Sequence, residues 1–126
     1  MPADDFATVF ATLRPLFAKY EKRLAVKADT PIEYTLLTKK PSPLPQHKGQ
    51  PMFFSSLRLG KAYVSFHLMP IYMDPGLAKS ISPALKKRMQ GKTCFNFKTG
   101  PGAELIADLK RLTDAAFKNW RDKEWV

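Results

Sequence analysis

Two short segments, AYVSFHLM and TCFNFK, carry most of the side chains that are able to do chemistry. Successive side chains of a strand point to opposite faces, so Ser65 and His67 share one face of the first segment. By the same alternation, Cys94 and Asn96 share one face of the second. If the two strands are neighbours, these four polar side chains lie on a single surface.

This surface holds the residue types of a cysteine nucleophile, its base and its orienting amide, namely Cys94, His67 and Asn96. Two observations argue against catalysis. Neither an oxyanion-hole loop nor a helix N-terminus is evident beside Cys94, and a single cysteine on a half-buried strand usually serves packing. We therefore expect no catalytic residue and a protein that is not an enzyme.

A metal site is the second chemistry to weigh, because nitrogen and sulfur ligands suit zinc. His67, Cys94 and His47 are the candidate ligands, but no two of them have the spacing of a helical pair or of a CxxC motif. We expect no metal site and no cofactor.

The third chemistry is ligand binding, for which a mostly apolar cleft with a few convergent polar groups is typical. We expect the site on the sheet face that carries Ser65 and His67, with a cationic rim that favours an anionic ligand. The predicted lining residues are Tyr63, Ser65, His67, Cys94, Asn96 and Lys98, with Tyr72 and Lys92 at the rim.

Long helices are predicted at both ends of the chain. An apolar stripe at helical spacing predicts a helix over residues 4–25, which Pro15 should kink or split. A second stripe predicts a helix from the turn Gly100-Pro101-Gly102 to about Asn119.

The centre of the chain predicts strands and short helices. Alternation predicts strands at 32–38, 52–59, 62–69 and 93–98, the middle two forming a hairpin. Helix starts are expected at Asp74-Pro75 and Ser82-Pro83, the latter helix running to Gln90 before Gly91. The fold class is α+β: one antiparallel sheet of about 4–5 strands, covered on one face by the N- and C-terminal helices.

Residues 39–51 (KKPSPLPQHKGQP) contain four prolines and no position that looks buried. This composition predicts a flexible, polyproline-like loop. The 126 residues are enough for one hydrophobic core, so residues 1–126 are expected to form a single domain.

The positive charge is concentrated in the centre. The net charge is +10, and residues 35–99 hold eleven Lys and Arg against one acid, Asp74. Such an excess indicates an anionic partner, or serves solubility alone. Lys86, Lys87 and Arg88 are candidates for contacts with phosphate or nucleic acid, unless they form a solvated helix end that complements the helix dipole.

No apolar run reaches the roughly 20 residues that a membrane span needs. The segment Met1-Pro2-Ala3-Asp4-Asp5 lacks the basic and apolar parts of a signal peptide. The single cysteine excludes an intramolecular disulfide and suits a reducing compartment. We expect a cytoplasmic protein without membrane contact.

Three runs, VKADTP, KGQPMFFSSLRLGKAYVSFHLMPIYMDP and ISPALKKRMQGKTCFNF, resemble the YdhG-like family, domain of unknown function 1801. The resemblance implies a small α+β domain with a frataxin-like architecture and no established reaction. Some relatives carry the label of an iron chaperone. Iron delivery would need clustered carboxylates, of which this sequence has few.

These observations favour a non-catalytic binding module for a small anionic ligand or a protein partner. A homodimer through the same sheet face is a variant of this hypothesis. The alternatives are a nucleic-acid-binding module that uses the basic centre and an iron-chaperone-like metal binder.

Overall fold

The computed structural model describes residues 6–91, 93–98 and 100–126. The helices are α1 (Phe6–Ala18), α2 (Pro70–Met73), α3 (Pro75–Lys79), α4 (Pro83–Lys86) and α5 (Ala103–Asp122), with a 3₁₀ helix at Pro45–His47. The strands are β1 (Leu24–Asp29), β2 (Glu33–Pro41), β3 (Pro51–Leu59), β4 (Val64–Leu68), β5 (Met89–Gln90) and β6 (Cys94–Phe97).

Within these residues the strands form one six-stranded antiparallel sheet in the order β1-β2-β3-β4-β6-β5. The predicted α+β class is confirmed, although the sheet has six strands rather than about 4–5. The two additional strands, β1 and β5, lie at the sheet edges. Both fall in segments whose sequence pattern predicts the end of a helix.

The core lies between one face of the sheet and the helices. Phe66, on β4, is fully buried; its ring centroid lies 4.5 Å from that of Phe17 on α1 and 6.2 Å from that of Phe95 on β6. Trp120 of α5 is also fully buried and packs on Phe54 of β3, with 5.5 Å between centroids. Helices α1 and α5 also pack against each other.

The predicted N-terminal helix over residues 4–25 is too long. Residues 4 and 5 lie outside the described part of the chain, and α1 ends at Ala18 without a break at Pro15. Leu24 begins β1 and pairs with Thr38 of β2. An apolar residue at this position satisfies both a helical and an alternating pattern, and strand pairing decides between them.

The helix predicted over 83–90 is also too long. Ser82 caps α4, its Oγ accepting the N–H of Leu85 at 3.3 Å, and the helix ends at Lys86. Met89 and Gln90 then form β5 against β6. Gly91 has a φ of 77° and turns the chain between these two strands instead of ending a helix.

The Pro-rich segment 39–51 is not a polyproline-like loop. Strand β2 continues to Pro41, which pairs with Pro51 of β3, so the segment closes a β-hairpin. The N–H of Ser42 donates to the carbonyl of Gln50 at 2.9 Å. The Ser42 hydroxyl is also hydrogen-bonded to Nδ1 of His47 at 2.7 Å, which holds the 3₁₀ helix.

None of the helices in the described ranges is long and apolar enough to cross a membrane.

The contrast between the two sheet faces leads to a stability prediction. Phe66→Ala removes a fully buried ring from the core and should lower the free energy of unfolding by about 3–5 kcal/mol. Phe53→Ala removes a phenyl ring from the opposite face of the sheet, where Phe53 is only half-buried. This substitution should lower the free energy of unfolding by less than half as much. Urea unfolding of the two variants beside the wild type measures the difference. Equal losses would contradict the placement of the core.

Candidate functional site

The sheet face opposite the helices, the open face, carries two rows of polar side chains that run across the strands. The first row is set by strand register and contains Thr35, Ser56, His67 and Cys94, each directly opposite the next. The second row contains Glu33, Arg58, Ser65 and Asn96 in the same relation. Residues two apart on a strand are about 7 Å apart, which is therefore the spacing of the rows.

Between and around these rows lies a cavity of about 460 Å³, the open-face cavity. It is lined by Lys27, Glu33, Thr35, Leu37, Phe53, Ser56, Arg58, Ser65, His67 and Cys94. The lining combines an apolar wall, several hydroxyl groups, an imidazole and charged side chains of both signs. A concave site of this composition suits a small organic molecule with polar substituents.

Two β-bulges shape this cavity. Val26 pairs with Leu36, but Ala28 pairs with Thr35, so Lys27 is the extra, unpaired residue of β1. On β3 a second irregularity brings Phe53 to the same face as Ser56, although strict alternation would separate them. The bulge on β3 thus adds an aromatic ring to the open-face cavity, and Lys27, at the bulge of β1, supplies a cation.

The charges of this cavity are unevenly paired. Arg58 and Glu33 form an ion pair, with Nη2 and Oε2 3.6 Å apart, and Glu33 also accepts a hydrogen bond from the Thr35 hydroxyl at 2.7 Å. The acid is therefore compensated within the site. Lys27 makes no ion pair with any described residue, which leaves one positive charge available to a ligand.

His67 is half-buried near the middle of the first row. Its Nε2 is hydrogen-bonded to the hydroxyl of Thr93, and its ring stands perpendicular to that of Phe53 at a centroid distance of 5.0 Å. Burial, and to a smaller extent the positive charge of Arg58, hold the pKa of His67 below its ordinary value of 6.5. The imidazole is therefore neutral at pH 7.

Cys94 and His67 lie opposite each other but do not form a catalytic pair. The Cys94 thiol donates to Oδ1 of Asn96 at 3.5 Å, whereas the imidazole is bonded to Thr93. Burial raises the pKa of the Cys94 thiol above its ordinary value of 9.0, an effect that its contact with Ser65 offsets in part. The group at this site at neutral pH is a thiol and not a nucleophilic thiolate.

The residues predicted for one site are distributed over three places. Ser65, His67 and Cys94 line the open-face cavity, whereas Tyr63, Asn96 and Lys98 line a neighbouring cavity with Lys87 and Arg88. Tyr72, which the sequence predicts at the rim of the open face, lines neither of these two cavities. It lines an apolar groove of about 490 Å³ with Met52, Met69, Met73 and Trp120.

Lys92 lies outside the described residues. The sequence predicts contacts with phosphate or nucleic acid for Lys86, Lys87 and Arg88 together, but Lys86 does not line the cavity that the other two share.

Metal ligation has little support from the geometry. In the part of the chain that the structure describes, no three His, Cys, Asp or Glu residues are grouped so that they could hold a metal ion. His47, one candidate ligand, lines the apolar groove and is hydrogen-bonded to Ser42.

Sequence reasoning missed the contribution of β1, β2 and β3 to the open-face cavity. Alternation alone could have grouped Glu33 with Thr35 and Ser56 with Arg58. Their position beside His67 requires the strand register, and the bulge that brings Phe53 to this face carries no signal in this sequence alone.

Comparison with known protein families, curated proteins and solved structures gives no match for this chain.

The raised pKa of Cys94 leads to a reactivity prediction. Alkylation by iodoacetamide at pH 7.5 should be slower in the folded protein than in the urea-unfolded chain, and it should accelerate as the pH rises beyond 9.0. Ser65→Ala removes the contact that lowers the thiol pKa and should slow the reaction further. Rapid alkylation of the folded protein at neutral pH would instead indicate an activated thiolate.

The environment of His67 leads to a pH prediction. The pKa of His67 in the folded protein lies below that in the unfolded chain, so the unfolded chain binds a proton more readily. The contribution of the neutral His67 to the free energy of unfolding is therefore complete above pH 6.5 and is lost as the pH falls through the folded pKa. NMR titration should give a pKa below 6.5, and Arg58→Ala should raise it by removing a positive charge. Lys61→Ala is the matched control because Lys61 is exposed and lines none of these cavities. An unchanged pKa in Arg58→Ala would contradict the prediction.

Proposed function

We propose that this chain is a YdhG-like, non-catalytic binding module whose open-face cavity takes a small organic molecule with an anionic group. The observation that carries the proposal is the cavity of about 460 Å³ on the uncovered sheet face, in which Lys27 has no acidic partner among the described residues. The resemblance of three sequence runs supports the family assignment, as does the order of helices and strands. A cytoplasmic setting is part of the same proposal.

The polar groups of the cavity suit an anion with a compact organic body. Lys27 and Arg58 offer N–H donors, and the hydroxyls of Ser56 and Ser65 can donate or accept. Leu37 and Phe53 provide apolar area for the uncharged part of the ligand. Because the acid Glu33 is already engaged by Arg58 and Thr35, it opposes an incoming anion less than a free carboxylate would.

The lack of an activated nucleophile among the described residues of the open-face cavity favours binding over catalysis. Cys94 is a thiol at neutral pH, and the imidazole of His67 is engaged by Thr93 instead of facing a reactive oxygen or sulfur. A neutral imidazole in this setting serves as a hydrogen-bonding group for a ligand.

Thermal unfolding against a panel of small carboxylates, sulfonates and phosphate esters in 150 mM salt tests this function. A ligand at 100 times its Kd should stabilise the fold by about 2.7 kcal/mol and raise the Tm by several degrees. Arg58→Ala and Lys27→Ala should each weaken binding about tenfold, because a charge-assisted hydrogen bond is lost. Lys61→Ala removes the same charge outside the cavity and should leave the Kd unchanged.

Two results would oppose the proposal. Stabilisation that disappears at 150 mM salt would mean that the net charge of +10 attracts anions without a site. Equal weakening by Lys61→Ala and Arg58→Ala would lead to the same conclusion.

A further inference from the structure

A second cavity, the basic cavity, adjoins the open face and has a volume of about 350 Å³. It is lined by Tyr63, Lys87, Arg88, Met89, Asn96 and Lys98. Three of these six residues are cations and none is an acid. Lys87 and Lys98 form no ion pair with any residue that the structure describes.

The polar groups of the basic cavity are held by strand pairing. The backbone N–H of Asn96 donates to the carbonyl of Arg88 at 2.8 Å, and the Arg88 guanidinium lies over the Phe97 ring at 5.5 Å. The Asn96 amide and the Tyr63 hydroxyl donate to the same oxygen of Gln90, at 2.5 and 3.3 Å. These contacts orient the lining before any ligand arrives, which lowers the entropic cost of binding.

The side chain of Asn96 connects the linings of the two cavities. Asn96 lines the basic cavity, while its Oδ1 accepts the Ser65 hydroxyl at 3.1 Å and the Cys94 thiol at 3.5 Å. Ser65 and Cys94 both line the open-face cavity. Cys94 and Asn96 are two residues apart on β6, about 7 Å along the strand, which a single small molecule can span.

We propose that the basic cavity takes the phosphoryl group of the same ligand, while Lys27 and Arg58 donate hydrogen bonds to acceptor groups of its organic part in the open-face cavity. The ligand class is then a phosphate monoester of a small organic molecule. This inference rests on the proposed function and deepens it by naming the anionic group.

The number of cations favours a phosphoryl group over a carboxylate. A phosphate monoester carries close to two negative charges at pH 7 and presents three acceptor oxygens. Lys87, Arg88 and Lys98 match that charge, and arginine in particular suits bidentate contacts with phosphate. A nucleic acid is less favoured because Phe95 and Phe97, the rings of β6, are fully buried and cannot stack on bases.

The test compares matched pairs of compounds, adenosine with adenosine monophosphate and glycerol with glycerol 3-phosphate, by calorimetry in 150 mM salt. The test variant is Lys87→Gln/Lys98→Gln. The control is Lys86→Gln/Lys61→Gln, which removes the same two charges from residues that do not line either cavity. Inorganic phosphate is titrated in parallel, with the amide and side-chain NMR signals of Asn96 and Tyr63 as reporters.

At least one phosphorylated compound should bind more tightly than its unphosphorylated partner. The test variant should weaken that binding about tenfold or more, while the control stays close to wild type. Inorganic phosphate should shift the Asn96 and Tyr63 signals in the wild type and not in the test variant.

Several outcomes would overturn the inference, and they are separable from a failure of the proposed function. Carboxylate binding that is lost in Arg58→Ala but insensitive to Lys87→Gln/Lys98→Gln would retain the open-face site and reject the phosphoryl site. Equal weakening by the test variant and the control would reject a specific site in favour of general attraction. Binding of single-stranded RNA without any binding of monoesters would assign the basic cavity to nucleic acid instead.

Discussion

The structure depends on the burial of one face of a single antiparallel sheet. Phe66 lies in the interior of that sheet and contacts Phe17 of α1 and Phe95 of β6, while α5 places Trp120 on Phe54. Because strand side chains alternate, fixing Phe66 inward turns its neighbours Ser65 and His67 outward. A shift of one residue in β4 would bury these polar groups and expose the ring. The same packing that stabilises the core thus determines the composition of the open face.

The part of the site that the sequence predicts is the part that follows from alternation. Ser65 and His67 in one strand, and Cys94 and Asn96 in the other, indeed share the open face because β4 and β6 pair directly. What could not be predicted depends on register between distant segments. Phe53 shares a face with Ser56 only because β3 bulges between them, and a single sequence contains no periodic signal for a bulge.

The predicted ends of two helices were wrong for a related reason. The edge strands β1 and β5 overlap the ends of the helices predicted over 4–25 and 83–90, and each strand exists only through its pairing with β2 or β6. The proline content also led to a wrong prediction, that of a polyproline-like loop over 39–51. Pro41 and Pro51 instead pair at the end of the β2–β3 hairpin. Proline is tolerated there because strand ends need not donate every N–H. Local pattern thus predicted the α+β class, whereas long-range pairing determined where strands begin and end.

The positive charge at the two cavities depends on which acidic residues form ion pairs elsewhere in the fold. Asp114 of α5 is close to Lys19 and Lys110 and accepts a hydrogen bond from Tyr20. Burial alone would raise the pKa of Asp114, but these hydrogen bonds outweigh it and lower the pKa below its ordinary value of 3.8. On the N-terminal side, Asp29 is paired with Arg14 at 2.9 Å. Apart from Glu33, which pairs with Arg58, the ion-paired acids of the two terminal segments thus compensate bases of these two segments. Arg58 is paired with Glu33, but Lys87, Arg88 and Lys98 form no ion pair with any described residue where they border the basic cavity, and an anionic ligand there supplies the negative charge.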